Sequence, residues 1–169
     1  SFGSYALGAA YDRNGCGATL DQLLSDKQKN MFGKIADSKP FYFNSGVLLI
    51  NIKWIRDNNI SFDTYLQAMK DWNFEMAAPD QDILNYVFYG KVKYFDWKKY
   101  DLFTHLAYNH GVTEKDASEV SILHFTGHKP WNTNTIHYEI ENIWWKYARE
   151  TNIYYTLTEQ YITQMTKDK

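Results

Sequence analysis

The run GVLLINI at residues 46–52 has no polar face until its asparagine. A strand with one face in water alternates apolar and polar residues, so a run apolar on both sides suits a strand in a sheet covered on both faces. Such a sheet needs helices to cover it, and the chain supplies helical patterns. Residues 61–72 carry Phe62, Tyr65, Leu66 and Met69 on one stripe, and residues 19–33 carry Leu20, Leu23, Leu24 and Met31 before Gly33. Residues 79–90 open with Pro79 and Asp80, run through Ile83, Leu84, Val87 and Phe88, and stop at Gly90. Further strands are expected at 4–12, 41–55, 91–96 and 120–125. Residues 100–111 read as irregular, and 137–165 as one long helix rich in aromatics. Strands alternating with helices make the expected class α/β.

At 169 residues the chain is long enough to bury a sizeable core, and no repeat, low-complexity tract or linker divides it. The formal charge of −2 provides no basic field for nonspecific nucleic-acid binding. Lys91, Lys93, Lys98 and Lys99 read as a solvated face. A lone cysteine, Cys16, excludes an internal disulfide and a multi-cysteine metal site, and it suits a reducing, cytoplasmic setting. No apolar run reaches the roughly 20 residues of a membrane span, and no secretory signal pattern is visible. Trp144 and Trp145 are expected to pack on the main body, with a membrane-surface role the lesser alternative.

Three stretches offer chemistry. In PDQD, 79–82, the acids Asp80 and Asp82 complement a helix N-terminus. Gln81 has no such electrostatic reason to be there, but its amide can bond a substrate hydroxyl or carbonyl. In FNSG, Asn44, Ser45 and Gly46 read either as a turn or as a polar rim on a cleft. In HFTGHKPW, His124 stands near the carboxyl end of a strand, where open α/β sheets bind ligands. An imidazole there can ligate a divalent ion. Gly127 would allow backbone to approach a phosphate, and Lys129 offers a point charge for it. His128 reads as a surface residue. The bland account of this stretch is a satisfied core histidine and a proline-ended turn.

The order YFNSGVLLINIKWIR, PDQDILNYVF, ILHFTGHKPW, followed by WWKYARET, closely resembles family 8 glycosyltransferases, which include bacterial lipopolysaccharide galactosyl- and glucosyltransferases and the glycogenins. The resemblance covers nearly the whole chain. It implies a GT-A-type, Rossmann-like fold, with a partial catalytic domain over 1–136 and a helical extension over 137–169. It implies a retaining transferase that moves a hexose from a nucleotide-sugar, UDP-glucose or UDP-galactose, to a glycan or lipid-linked glycan such as lipopolysaccharide. Manganese on the diphosphate, a cytoplasmic location and contact with the inner membrane face are implied with it. By the same resemblance Asn44, Ser45 and Asp80 contact the donor sugar, Gln81 sits beside the anomeric carbon, His124 ligates the metal, and Gly127 and Lys129 contact the phosphates. The family's base-binding half and its acid-x-acid metal pair have no counterpart here, so the chain is expected to begin partway through the fold and to expose a sheet edge or apolar face. The alternative functions are a noncatalytic carbohydrate-binding remnant and an interaction domain.

Overall fold

A computed structural model describes residues 2–12, 42–76, 78–127, 129–133 and 136–167. Cys16, His128 and the helix expected over 19–33 lie outside them. The chain forms two compact units, Ser1–Trp97 and Lys98–Lys169.

The first unit is built on a three-stranded sheet ordered β2-β1-β3. Strand β1 (Leu7–Tyr11) pairs antiparallel with β2 (Phe43–Ile50) and parallel with β3 (Val92–Tyr94). Its sequence explains its central place. Leu7 to Ala10 are buried, and the small residues Gly8, Ala9 and Ala10 allow covering groups to approach the backbone. A Cβ built on Gly8 would fall 2.0 Å from Phe95 Cζ, so the Phe95 ring lies directly on the strand. Leu7, Ala9, Phe43, Phe88 and Val92 form the core, with Leu48, Trp54, Tyr65 and Leu84 packed against it.

Strand β2 departs from the strand covered on both faces that its apolar run predicts. It is an edge strand among the described residues, and its later half is open: Leu49 is 53% and Ile50 48% exposed. The run also ends earlier than 55, because Asn51 accepts from Trp54 N at 3.1 Å and caps helix α1 (Ile52–Asp57). Helix α2 (Phe62–Asp71) begins where Thr64 Oγ1 accepts from Ser61 N at 3.2 Å. Its stripe is shifted: Tyr65, Leu66 and Met69 are half-buried and Ala68 is buried, while Phe62 is 75% exposed.

Helix α3 (Pro79–Val87) is bound to β2 by buried polar groups. Asn85 Oδ1 accepts from Phe43 N, and Asn85 Nδ2 donates to Phe43 O, each at 2.9 Å. The same Nδ2 lies 2.9 Å from Gln81 O. Asp82, fully buried, receives the Tyr42 hydroxyl at 2.5 Å and Ala78 N at 3.1 Å. Burial, and then the hydrogen bond to Asp82, push the Tyr42 phenol far above its ordinary value.

Helix α4 (Trp97–Tyr100), all but its first residue in the second unit, leads into β4 (Leu102–Phe103), which pairs parallel with β5 (Leu123–His124). The stretch 100–111 is therefore regular: β4 runs straight into helix α5 (Thr104–Asn109), where Leu106 and Ala107 recur at helical spacing from Phe103, and all three are buried. The expected buried strand over 120–125 is shorter and only half-buried, with Ile122 and Ser121 exposed. The long terminal helix is broken. A 3-10 turn (Glu139–Glu141) precedes α6 (Asn142–Ala148), and α7 (Tyr154–Lys167) follows. Thr151 Oγ1 donates to Ala148 O at 2.7 Å, so the polar ETN segment closes α6 instead of continuing it. Trp144 packs on Trp131 at 4.7 Å between ring centroids, and Trp145 on Tyr161 at 5.8 Å, as a packing role requires.

Two stability outcomes follow. Asn85→Ala strips the Phe43 N–H and C=O of their side-chain partners and is expected to lower unfolding free energy by about 2–4 kcal/mol in urea titration. The raised Tyr42 value means that its stabilising contribution is complete below the ordinary tyrosine range near pH ~10 and is lost as pH rises above it. Tyr42→Phe is thus expected to flatten the alkaline loss of stability, measured by melts at successive pH values.

Candidate active site

The first unit gathers five polar side chains where β1 ends, β2 begins and α3 starts. The antiparallel pairing of Tyr11 with Phe43 brings the end of β1 beside the start of β2, and Asp12 N donates to Tyr42 O at 2.9 Å. The Asn85 bonds to Phe43 then set the first turn of α3 against Asn44 and Ser45. Gln81 is at the centre. Its Oε1 accepts from Ser45 N at 2.9 Å and from Asn44 Nδ2 at 3.2 Å, and its Nε2 donates to Asp12 Oδ2 at 2.9 Å. A carboxylate only accepts and a backbone N–H only donates, so both ends of the amide are oriented. Asp80 is exposed and receives the Ser45 hydroxyl at 3.0 Å.

These contacts choose between the open readings. FNSG is not a turn: Asn44 and Ser45 lie within β2, and Asn44 is buried, with Oδ1 accepting from Gly46 N at 2.8 Å. The two acids of PDQD divide. Asp82 is sealed in the helix–strand joint and cannot meet a substrate, whereas Asp80 faces outward. Asp12 belongs to this group, although the sequence reading treated it only as the close of a strand. An acid at the carboxyl end of an α/β strand was the available signal.

His124, Gly127 and Lys129 belong to the second unit and form a group of their own. His124 ends β5, with its ring held edge-on to Phe103 at 5.2 Å between centroids. Its Nδ1 lies 2.7 Å from Asp101 Oδ1. After Phe125 the chain turns at Gly127, whose φ is +69°, and Lys129 Nζ donates back to Phe125 O. Asn132 N bonds Lys129 O at 2.9 Å and Pro130 is buried, so the loop is closed on itself. No group of three His, Cys, Asp or Glu side chains converges to hold a metal among the described residues. His124 alone, with a nitrogen ligand backed by a carboxylate, has the chemistry of one coordination position.

Residues 2–135 match the family described as Glycosyl transferase family 8. The chain belongs to glycosyltransferase family 8. Similarity to individual members agrees with this. Glycosyltransferase GlyB of Streptococcus pneumoniae serotype 4 (strain ATCC BAA-334 / TIGR4) is 30% identical over 137 residues, which cover 76% of this chain and 32% of that one. A structure of the galactosyltransferase LgtC with donor and acceptor sugar analogues matches with a TM-score of 0.59 and 25% identity, over 96% of this chain and 53% of that chain. An LgtC variant with an active-site glutamine changed to glutamate also matches, with a TM-score of 0.56. The bifunctional glycosyltransferase WbbM shares the fold, with a TM-score of 0.66 and 18% identity over 95% of this chain and 30% of that one. The family 8 chain described here therefore has the mixed α/β architecture of GT-A-type enzymes, and it spans about a third of GlyB and half of LgtC. No helix among the described residues is long and apolar enough to cross a membrane.

Among the described residues nothing beyond its chain neighbours lies within 4 Å of the position a Gly127 Cβ would take, so backbone strain is what opposes a side chain there. Gly127→Ala is expected to cost about 1–2 kcal/mol, the left-handed penalty for an L-residue, and a thermal melt of the variant would measure it.

Proposed function

We propose that this chain supplies the donor-sugar and phosphate side of a retaining hexosyltransferase. The enzyme moves glucose or galactose from a UDP-sugar to a glycan acceptor, lipopolysaccharide or another surface glycan, at the cytoplasmic side of the membrane. The observation that carries this reading is the Gln81 network: a neutral amide, oriented at both ends, stands beside an exposed carboxylate in a family 8 chain. The active-site glutamine of LgtC supports the assignment by likeness.

The chemistry suits these groups. Transfer breaks the bond between the anomeric carbon and a diphosphate oxygen and forms one to an acceptor hydroxyl oxygen, whose proton passes to the departing diphosphate, with positive charge growing on the sugar. An amide is a poor nucleophile but can steady that charge, and Gln81 has this role in a same-face displacement. A double displacement would need a carboxylate nucleophile, and buried Asp82 is closed to it. Asn44, Ser45 and Asp80 hold sugar hydroxyls. A bound divalent metal such as manganese would neutralise the departing diphosphate. His124 would be one of its ligands, while Lys129 and the Gly127 backbone would contact the phosphates. Lys129 must then exchange its bond to Phe125 O for a phosphate oxygen.

Calorimetric titration with UDP, with and without Mn2+, on the protein at its natural full length tests this reading. Binding that needs Mn2+ and weakens about 10–100-fold in His124→Ala is expected, as is a loss of transfer rate of about 100-fold in Gln81→Ala. Sugar binding indifferent to Mn2+ would instead favour a noncatalytic carbohydrate-binding protein.

A further inference from the structure

Asp101 is a buried carboxylate outside the helix–strand joint, and the transfer chemistry above makes no direct use of it. It lies in the second unit between α4 and β4, two residues before Phe103, the register partner of His124. The side chain of Asp101 is fully buried, while that of His124 is 24% exposed. One carboxylate oxygen meets His124 Nδ1 at 2.7 Å. The other oxygen is buried and has no hydrogen-bond partner among the described residues. A buried carboxylate left half-satisfied is a poor way to stabilise a fold, because the bare oxygen loses its hydration without replacement. What the arrangement does accomplish is to fix the imidazole.

We propose that Asp101 is a positioning residue that holds His124 in the Nδ1–H tautomer and so presents the Nε2 lone pair outward as a metal ligand. A carboxylate accepts and does not donate, so the proton shared at 2.7 Å belongs to Nδ1, and in the neutral ring Nε2 then carries the lone pair. Metal-bound histidines are oriented in this way by carboxylates, which fix the tautomer and strengthen the ligand. Two further contacts limit the ring. Phe103 stands edge-on to it at 82°, and the parallel pairing of Leu102 with Leu123 fixes the spacing between the two strands. Asp101 is therefore held by the same short sheet that holds its partner. Asp101 Oδ2 is closed off, and Oδ1 is already engaged with the ring. The residue accordingly acts through His124 and not as a ligand itself.

This proposal rests on the reading of His124 as a metal ligand, and the test separates the two. In metal-free wild-type protein at natural full length, nitrogen-15 NMR of the His124 ring is expected to show hydrogen on Nδ1. Asp101→Asn is expected to move that hydrogen toward Nε2. It should also weaken Mn2+ binding, followed by the electron paramagnetic resonance of free Mn2+ in the presence of UDP, by about 10–100-fold. In a His124→Ala background the same Asp101→Asn change should have no further effect on Mn2+. A wild-type ring with hydrogen on Nε2, or a loss of Mn2+ affinity that persists in the His124→Ala background, overturns the proposal alone. An unaltered Mn2+ affinity in His124→Ala removes the metal reading and the purpose assigned to Asp101 together. The wild-type spectrum decides the tautomer even if Asp101→Asn does not fold.

Discussion

The joint between α3 and β2 is the constraint on which the first unit depends. A helix laid on a sheet edge by apolar contacts alone can slide, since hydrophobic contact has no direction. Hydrogen bonds do, and here they are buried. The Asn85 amide spans both polar groups of Phe43, while Asp82 takes the Tyr42 hydroxyl from the preceding residue. Two adjacent residues, Tyr42 and the first residue of β2, are thus read by two side chains of one helix, which fixes height and rotation together. Gln81 stands one residue before Asp82, so its amide inherits that placement. The apparent redundancy of polar residues in PDQDILN is therefore a division of labour: positions 82 and 85 face inward and anchor, while 80 and 81 serve the surface.

The same economy appears in the second unit at smaller scale. Two strands of two residues each would hardly persist alone. They are supported at one end by Ser121 N and Ile122 N, which both bond Lys99 O, and at the other by buried Leu102, Phe103 and Leu106. Through this short sheet the chain brings Asp101 to a histidine 23 residues later.

Legibility in the sequence followed the range of the forces involved. Strands β1, β2 and β3 and helices α2 and α3 were readable because periodicity and capping are local. The exposure of Leu49, Ile50 and Phe62 was not, since hydrophobicity says that a residue favours burial and not what arrives to cover it. The long aromatic segment read as one helix because aromatic spacing persists across it, while the break shows only in local bonds, the Thr151 hydroxyl and N–H both turned back on Ala148 O. Residues 100–111 looked irregular because a two-residue strand has no period to detect. Within the site, Asn44, Ser45, Asp80 and Gln81 were nominated by residue type and by order along the chain. Asp12 and Asp101 were passed over, since the partner of each lies 69 or 23 residues away.

The Phe95 ring lying on Gly8 has a consequence for how such sequences can change. Any single-base change in a glycine codon that does not stop the chain, or leave glycine in place, adds a side-chain carbon, and at position 8 that carbon would fall 2.0 Å from the Phe95 ring. A side chain at position 8 is thus tolerated only as far as the Phe95 ring can turn aside. A smaller residue at 95 would remove the obstacle, so the two positions are coupled. That coupling arises on one covered face of the middle strand.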